Sequence, residues 1–196
     1  MSNYRFVFDL ETSGLPKRKK YHKLNYKYLA GFEEARILSI SWIIIYDTEK
    51  EKNVIKEKKL FYVKPDNFDI SEKSIQIHKL TPQFLNDNGV PIKTVVNDLI
   101  DTFNKYEIIQ MISHNTDFDM NVLMSELFRY KYLEFLEKVE DVEVYCTMLN
   151  SQKKMNVFKW PKLAEAYNFF YNKDITNAHQ AEYDTLYCYE IYKALN

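Results

Sequence analysis

The apolar residues of this 196-residue chain change along its length from a strand-like to a helix-like spacing. Three runs rich in β-branched and aromatic residues come first, and the last two are predicted to form a hairpin across a polar turn. Short apolar runs then alternate with three-four periods, which are typical of amphipathic helices. This order predicts one α/β domain over residues 1–196, with a mixed five-stranded sheet flanked by helices. The predicted strands are 4–10, 37–46, 54–63, 108–113 and 142–146, and the predicted helices are 92–103, 120–128, 163–171 and 181–195.

The composition excludes two common ways of binding phosphate groups. The 27 Lys and Arg residues against 28 Asp and Glu leave a net charge of −1, so bulk cationic attraction is too weak to bind nucleic acid. With only 3 glycines, the chain contains neither a GxGxxG nor a GxxxxGK[ST] motif. A polyanion would therefore have to bind through a local patch or through metal ions.

The cysteines and the hydropathy pattern indicate an intracellular protein. Cys146 and Cys188 have neither C-x-x-C spacing nor a neighbouring pair of histidines, so we expect no zinc site, no disulfide and a reducing compartment. The first apolar run is too short for a signal peptide. The longest apolar stretch, at 42–46, is far below the ~20 residues that span a bilayer. We expect a cytoplasmic protein with no membrane partner.

Two acidic residues lie at the end of the first predicted strand. Asp9 and Glu11 are two residues apart, so both side chains project from one face of the strand. Ligands of α/β sheets usually bind at the carboxyl ends of the strands. A functional pair and a solvated strand end are both consistent with this spacing.

Two further acids lie on the apolar stripes of predicted helices. Asp119 precedes Leu123 by four residues, and Asp184 precedes Cys188 by four. Acids in a first helical turn also complement the helix dipole, which accounts well for the nearby Asp117. That alternative explains Asp119 less well, because it leaves a carboxylate against apolar neighbours.

His179 precedes Asp184 by five residues, a separation that turns about 140° on a helix. The two side chains can meet only if His179 lies in the loop before the helix, with Asn177 as a possible N-cap. A lone histidine is otherwise more often a structural hydrogen-bonding group.

The three clusters become informative together. Half-buried acids at the ends of strands and helices would repel one another unless cations lay between them. Oxygen ligands without cysteine select a hard ion, Mg²⁺ or Mn²⁺. Two such ions about 3.5–4 Å apart promote phosphoryl transfer by stabilising the attacking and leaving oxygens. A neighbouring histidine can then take a proton from the attacking water.

The same clusters carry a family resemblance. Residues 8–16 (FDLETSGLP) resemble the first motif of the DEDDh, or DnaQ-like, 3′→5′ exonucleases, which include ribonuclease T and the proofreading subunit of bacterial DNA polymerase III. Residues 114–119 (HNTDFD) are similar to the HN-x-x-FD second motif, and 179–184 (HQAEYD) to the third motif, H-x-x-x-x-D. The motifs occur in family order over nearly the whole chain.

The resemblance implies an RNase H-like fold and a catalytic centre with two Mg²⁺ or Mn²⁺ ions. It implies that the metal ligands are Asp9, Glu11, Asp119 and Asp184, and that His179 is the general base.

It also implies substrate-binding residues. Thr12 and Leu15 match positions that contact and wedge the terminal nucleotide, and Asn115 matches a supporting asparagine. Residues 77–81 (IHKLT) resemble the I-H-G-I-T segment near the 3′ end, which includes His78. Lys79 replaces the glycine of that segment, so the loop conformation is open.

We therefore expect a metal-dependent 3′→5′ exonuclease that releases nucleoside 5′-monophosphates from a single-stranded or frayed 3′ end, with DNA favoured and RNA possible. A catalytically silent nucleic-acid-binding module would require loss of a carboxylate, and all five residues are present. A polymerase-associated proofreading subunit is the other alternative. Because the sequence ends soon after the third motif, we expect a free-standing enzyme.

Two features leave their roles open. The basic run 17–23 is either a solvated loop or a phosphate guide. Trp160 and the many tyrosines are either core residues, since aromatic residues at helical spacing usually pack there, or surfaces on which nucleic acid stacks.

Overall fold

The computed structural model describes residues 3–17, 23–48 and 50–196. Its five strands confirm the predicted runs, with ends that differ by one or two residues. The first strand continues to Thr12, which places Glu11 inside the strand. Most of the basic run 17–23 lies outside the described residues. The strands are β1 (Tyr4–Thr12), β2 (Ile37–Tyr46), β3 (Val54–Tyr62), β4 (Ile108–Ser113) and β5 (Glu143–Cys146).

All five strands form one mixed sheet in the order β3-β2-β1-β4-β5. Strands β1, β2 and β3 pair antiparallel, as the predicted hairpin requires, whereas β4 and β5 run parallel to β1. The carboxyl ends of β1, β4 and β5 therefore meet at one edge of the sheet. The predicted mixed five-stranded sheet is confirmed.

The helices predicted from periodicity are present, and four others are not evident from it. The 14 residues of α3 bury a stripe that includes Val95, Val96, Leu99 and Phe103, as the three-four spacing predicts. The helices are α1 (Glu72–His78), α2 (Pro82–Asn88), α3 (Ile92–Lys105), α4 (Thr116–Arg129), α5 (Leu133–Glu140), α6 (Thr147–Met155), α7 (Leu163–Tyr171) and α8 (Ala181–Leu195). The sequence analysis did not predict α1, α2, α5 and α6.

The two faces of the sheet bury different sets of side chains. Phe6 and Phe8 of β1 contribute to the larger cluster, together with side chains of α3, α4 and α5. Val7, in the opposite phase of the same strand, packs in the cluster that contains Cys188 and Tyr189 of α8. Helix α8 therefore covers the face to which the odd-numbered residues of β1 project.

The model corrects one local prediction and answers one that the sequence left open. Asn177 is not the N-cap of α8, because the helix begins only at Ala181 and Gln180 occupies the capping position. Trp160 is not in the core: its side chain is 63% exposed, in the connection between α6 and α7. None of the helices in the described part of the chain is long and apolar enough to cross a membrane.

Candidate active site

Strand β1 presents Asp9 and Glu11 on the same side of the sheet, as their spacing predicts. Phe8 and Leu10, between and beside them, pack into the opposite core. The phase of β1 therefore directs both carboxylates toward α8. Both side chains are partly accessible to solvent, so the core does not cover this end of the strand.

Helix α8 and the loop before it bring Asp184 and His179 to the same place. Asp184 is buried, and its Oδ2 accepts a hydrogen bond from the backbone amide of His179 at 2.9 Å. His179 has a φ of 65° and an exposed side chain, so the chain turns sharply just before the helix begins. Ligand atoms of Glu11, His179 and Asp184 lie within 4.8 Å of one another. The fold thus brings residues of the first and third motifs together.

The second motif supplies Asp119 from the first turn of α4. Asn115 precedes the helix with a φ of 86°, a left-handed conformation that asparagine tolerates better than most residues. Its carbonyl accepts the amides of Phe118 and Asp119 at 2.9 and 3.4 Å, which closes the first turn. The asparagine side chain makes no capping hydrogen bond, so its evident contribution is to the backbone conformation.

The pKa values of all four carboxyl groups are raised. Burial is the largest cause, and it raises the pKa of Glu11 and of Asp119 to about 8 and that of Asp184 to about 6. The pKa of Asp9 is also well above its ordinary value, because of burial and then the charges of Asp119, Asp184 and Glu11. The site therefore concentrates four acidic groups whose charged forms are destabilised by burial.

Two buried carboxylate oxygens that lack hydrogen-bond partners within the described residues, here called orphaned, indicate whether a metal ion fits this cluster. Oδ2 of Asp119 and Oδ1 of Asp184 are buried and have no hydrogen-bond partner in the described part of the chain. A buried carboxylate oxygen without a partner costs about 1–3 kcal/mol or more. Carboxylate oxygens with an adjacent imidazole are ligands that a hard divalent cation accepts. The residues present fit such an ion.

A cleft of about 750 Å³ opens beside the carboxylates. Leu15 lies at its rim and is largely exposed, while Thr12 is buried and donates its hydroxyl to the Gly14 carbonyl at 2.8 Å. Most of the lining of the cleft was not assigned to substrate from the sequence, including the apolar side chains of Ile77 and Phe118. In the sequence, Phe118 stood out only as the phenylalanine of the second motif, directly before Asp119.

His78 lies in the wall between this cleft and a second cavity of about 220 Å³. Its Nδ1 accepts the Leu80 amide at 3.0 Å, which places the proton of the neutral ring on Nε2. That nitrogen is buried, and the Thr12 carbonyl faces it without forming a hydrogen bond. Burial lowers the pKa of His78, so the ring is neutral at neutral pH.

Lys79 follows His78 with a φ of 65°, the conformation that glycine adopts most readily. The lysine therefore preserves the backbone turn that ends α1, and its Nζ donates to the Gln76 carbonyl at 2.6 Å. This answers the conformational question left open by the sequence.

A buried ion pair lies behind the first motif and was not predicted. Nε and Nη2 of Arg36 donate to Glu126 of α4 at 2.5 and 3.1 Å, and the guanidinium also contacts Tyr130 and Phe68. The backbone of Arg36 is hydrogen-bonded to Ser13, directly after β1. The pair therefore ties the turn after Glu11 to the helix that carries Asp119.

Gly14 in this turn is required by close packing. A Cβ atom at this position would lie 2.6 Å from the Glu34 carbonyl oxygen. No side chain fits there without moving the backbone beside β1.

Comparison with solved structures shows the fold. Exonuclease I of E. coli, in a zinc-bound complex with single-stranded DNA, is 17% identical, with a TM-score of 0.70 over 100% of this chain and 40% of that chain. The same enzyme with a dT13 oligonucleotide is 18% identical, with a TM-score of 0.71 over 97% and 40%. Exonuclease I of Methylocaldum szegediense is 17% identical, with a TM-score of 0.68 over 98% and 40%. The chain thus spans about 40% of these proteins and has their RNase H-like fold.

Comparison of sequences shows the family. No curated protein sequence matches the chain. The family model RNase_T, described as an exonuclease, matches residues 6–192, an interval that contains all three motifs. The chain therefore belongs to the RNase_T exonuclease family, as the resemblance of its motifs predicted.

Proposed function

We propose that this protein is a divalent-metal-dependent 3′→5′ exonuclease that releases nucleoside 5′-monophosphates from single-stranded nucleic acid. The observation that carries the proposal is the group of four acids, two with orphaned oxygens, beside an open cleft. Membership of an exonuclease family supports nuclease activity. The similar structures solved with single-stranded DNA support that class of substrate.

The acidic cluster would hold the metal ions. Asp9, Glu11, Asp119 and Asp184 offer the oxygen ligands, and we assign two Mg²⁺ or Mn²⁺ ions to them. When bound, such ions neutralise the cluster and stabilise the charge that develops on the attacking and leaving oxygens. The chain itself contributes the fixed positions of these acids on β1, α4 and α8.

His179 is assigned the proton transfer. Its side chain is exposed at the edge of the cluster, and the loop that carries it is held by the hydrogen bond to Asp184. From this position the imidazole can accept a proton from a water molecule and release it to solvent.

The larger cleft is assigned to the terminal nucleoside. Leu15, Ile77 and Phe118 offer apolar surfaces against which a base can pack. His78 lies in the wall of this cleft, and we assign it to the part of the site near the 3′ end. Asn115 acts indirectly, through the backbone turn that places Asp119.

The test is degradation of a single-stranded DNA oligonucleotide labelled at its 5′ end, with Mg²⁺ or Mn²⁺. A 3′→5′ exonuclease produces a ladder of shortened, labelled products. Immediate release of a labelled mononucleotide would show the opposite polarity, and cleavage of circular single-stranded DNA would show an endonuclease. A parallel RNA oligonucleotide measures the preference for DNA that we propose.

A matched pair of variants shows whether the cluster is responsible. Asp119→Asn should lose about 10³-fold or more of the activity, because it removes a ligand without changing side-chain size. Asp117→Asn, in the same helical turn but exposed, should retain it. Equal activity of the wild type and Asp119→Asn would refute the assignment.

A further inference from the structure

Two aromatic side chains stand in solvent on the connection between α6 and α7. Phe158 is fully exposed and Trp160 is 63% exposed. Exposed apolar surface rimmed by polar residues often marks a binding site, whereas single exposed apolar residues are ordinary. We call residues 153–162 the aromatic–lysine loop.

The loop is basic although the whole chain is nearly neutral. Residues 144–164 contain four lysines and no Asp or Glu. Lys159 pairs with Glu165. Lys153, Lys154 and Lys162 form no ion pair within the described residues, and all three are exposed. The loop therefore combines exposed aromatic rings with uncompensated positive charge.

Hydrogen bonds hold the backbone of the loop in place. Nε2 of His114 lies 3.0 Å from the Pro161 carbonyl oxygen, and Nε2 of Gln152 donates to the Phe158 carbonyl at 2.8 Å. The Val157 amide also donates to the Gln152 carbonyl at 3.3 Å. The rings are thus presented from a fixed backbone, which lowers the entropic cost of binding on them.

The hydrogen bond between His114 and Pro161 places the loop at the edge of the sheet where the carboxyl ends of the parallel strands lie. His114 directly follows β4 and lies two residues before α4, the helix that carries Asp119. Because β1 and β4 are parallel neighbours, their carboxyl ends lie at the same edge. A single-stranded nucleic acid whose 3′ end lies in the cleft can therefore extend over this side of the molecule.

We propose that the aromatic–lysine loop binds the upstream part of a single-stranded nucleic acid whose 3′ end lies in the catalytic cleft. Bases stack on Phe158 and Trp160, and Lys153, Lys154 and Lys162 contact phosphates. Stacking of this kind tolerates any base, because every base has a π face. This inference rests on the proposed function, and it adds a binding surface that the catalytic motifs do not contain.

Intrinsic fluorescence offers a direct measurement on the wild-type protein. Of the two tryptophans, Trp42 is fully buried, so Trp160 is the one that a ligand can reach. Titration with oligo(dT) in the presence of a chelator, which prevents cleavage, should quench the solvent-exposed emission. Trp160→Phe should lose that response while the emission of Trp42 remains.

Affinity measured by anisotropy of a labelled oligo(dT) tests the energetics. The double variant Phe158→Ala/Trp160→Ala should bind at least about tenfold more weakly, since each stacked base contributes substantially. Phe169→Ala, which removes an exposed ring from α7, is the matched control and should bind as the wild type does. Replacing Lys153, Lys154 and Lys162 with Gln should lower the slope of log affinity against log salt by about 2.

Short substrates separate this inference from the proposed function. Hydrolysis of the p-nitrophenyl ester of thymidine 5′-monophosphate, which fills only the cleft, should be unchanged in the double variant, while degradation of long oligo(dT) slows. Unchanged affinity and unchanged degradation of long oligo(dT) would overturn the loop assignment and leave the exonuclease intact. If the wild type hydrolysed neither of the two substrates, the proposed function would be refuted instead. Loss of self-association in the double variant, with oligo(dT) binding unchanged, would identify a protein contact and also overturn the inference.

Discussion

Asp119 and Glu126 are two buried acids on the same face of α4, and they are in opposite electrostatic situations. They are seven residues apart, nearly two full turns, and are 2% and 1% exposed. Glu126 receives two hydrogen bonds from Arg36, whereas Oδ2 of Asp119 has no partner within the described chain. One acid is neutralised by the fold, and the other remains available to a ligand.

This difference distinguishes the ion-paired Glu126 from the candidate metal ligand Asp119 more clearly than burial does. The Arg36–Glu126 pair joins the start of β2 to α4 and has its hydrogen bonds satisfied internally. The cluster around Asp119 has raised pKa values and orphaned oxygens, so its stable state requires protons or cations. The same helix can hold both because the pair fixes its position while the first turn carries the unsatisfied group.

Breaking the ion pair should produce the largest change in stability. Glu126→Gln leaves the buried Arg36 charge without compensation and should lower the free energy of unfolding by about 3–5 kcal/mol. Urea denaturation measures this loss. Glu134→Gln, at an exposed position of α5, should change it little. The double replacement Arg36→Met/Glu126→Met should recover much of the loss, and if it does not, the pair is more than a compensated charge.

Adding divalent cations should stabilise the acidic cluster. At a concentration about 100 times the dissociation constant, Mg²⁺ or Mn²⁺ should raise the free energy of unfolding by about 2.7 kcal/mol. Thermal melting of the chelator-treated protein with added cation measures the shift. Asp117→Asn should respond as the wild type does. An equal shift in Asp119→Asn would place the cation elsewhere.

Replacing Asp119 itself should act in the opposite direction to replacing Glu126. Without metal, Asp119→Asn removes a buried charge that has no partner and should stabilise the protein by about 1–3 kcal/mol. The measurement is urea denaturation near pH 9, above the raised pKa of about 8. Destabilisation similar to that of Glu126→Gln would show that Asp119 also has a structural role.

His114 is a basic side chain whose pKa, unlike those of the acids, is lowered by burial. Its Nδ1 lies 3.0 Å from the Thr147 hydroxyl, and burial lowers its pKa to about 4, partly offset by the Pro161 carbonyl. The unfolded state, with a pKa near 6.5, binds more protons between these values, so stability is retained above pH 6.5 and lost as the pH falls toward 4. His114 should account for a loss of about 2 kcal/mol between pH 7 and pH 5.

The comparison of the wild type with His114→Gln isolates this effect, because glutamine does not titrate and can still donate to Pro161. Stability of the variant should fall less between pH 7 and pH 5. Parallel pH profiles for the two proteins would show that His114 does not contribute.

The smallest expected effect is at the end of α1. Lys79→Gly relieves a left-handed conformation and should stabilise the protein by about 1 kcal/mol, despite losing the contact of Nζ with Gln76. Lys73→Gly, inside α1, should destabilise by a similar amount. Urea midpoints of the two variants should therefore move in opposite directions. Destabilisation by Lys79→Gly would mean that the lysine contact outweighs the backbone strain.

Periodicity was a guide mainly to elements with several buried residues, although it also predicted α7, which has one buried residue, Ala166, and several half-buried apolar side chains. Strand β2 and helices α3 and α8 each bury a full stripe, and their positions follow from the sequence. Helices α1 and α2 have seven residues and one buried residue each, His78 and Leu85. A single buried residue has no period, so these helices could not be predicted from it.

Similarly, local spacing predicted only those parts of the candidate site whose residues are close in sequence, and the family resemblance supplied the grouping of Asp119 with them. Strand phase places Asp9 and Glu11 on one face, whereas helix geometry left open whether His179 meets Asp184. Arg36 and Glu126 are 90 residues apart, and no local pattern links them. The exposure of Trp160 also depends on the anchoring of its loop by His114, which a local pattern does not encode.

The sequence by itself determined which residues are candidates for the site: the acids, the histidine, their order and the strands and helices that carry them. These follow from residue type and local spacing, which act over a few residues. The tertiary structure decided which of the buried acids are neutralised, where the two cavities open, and that Phe158 and Trp160 face solvent rather than the core. These properties depend on desolvation and on charges brought together from distant parts of the chain, and both arise only when the sheet and its helices are packed.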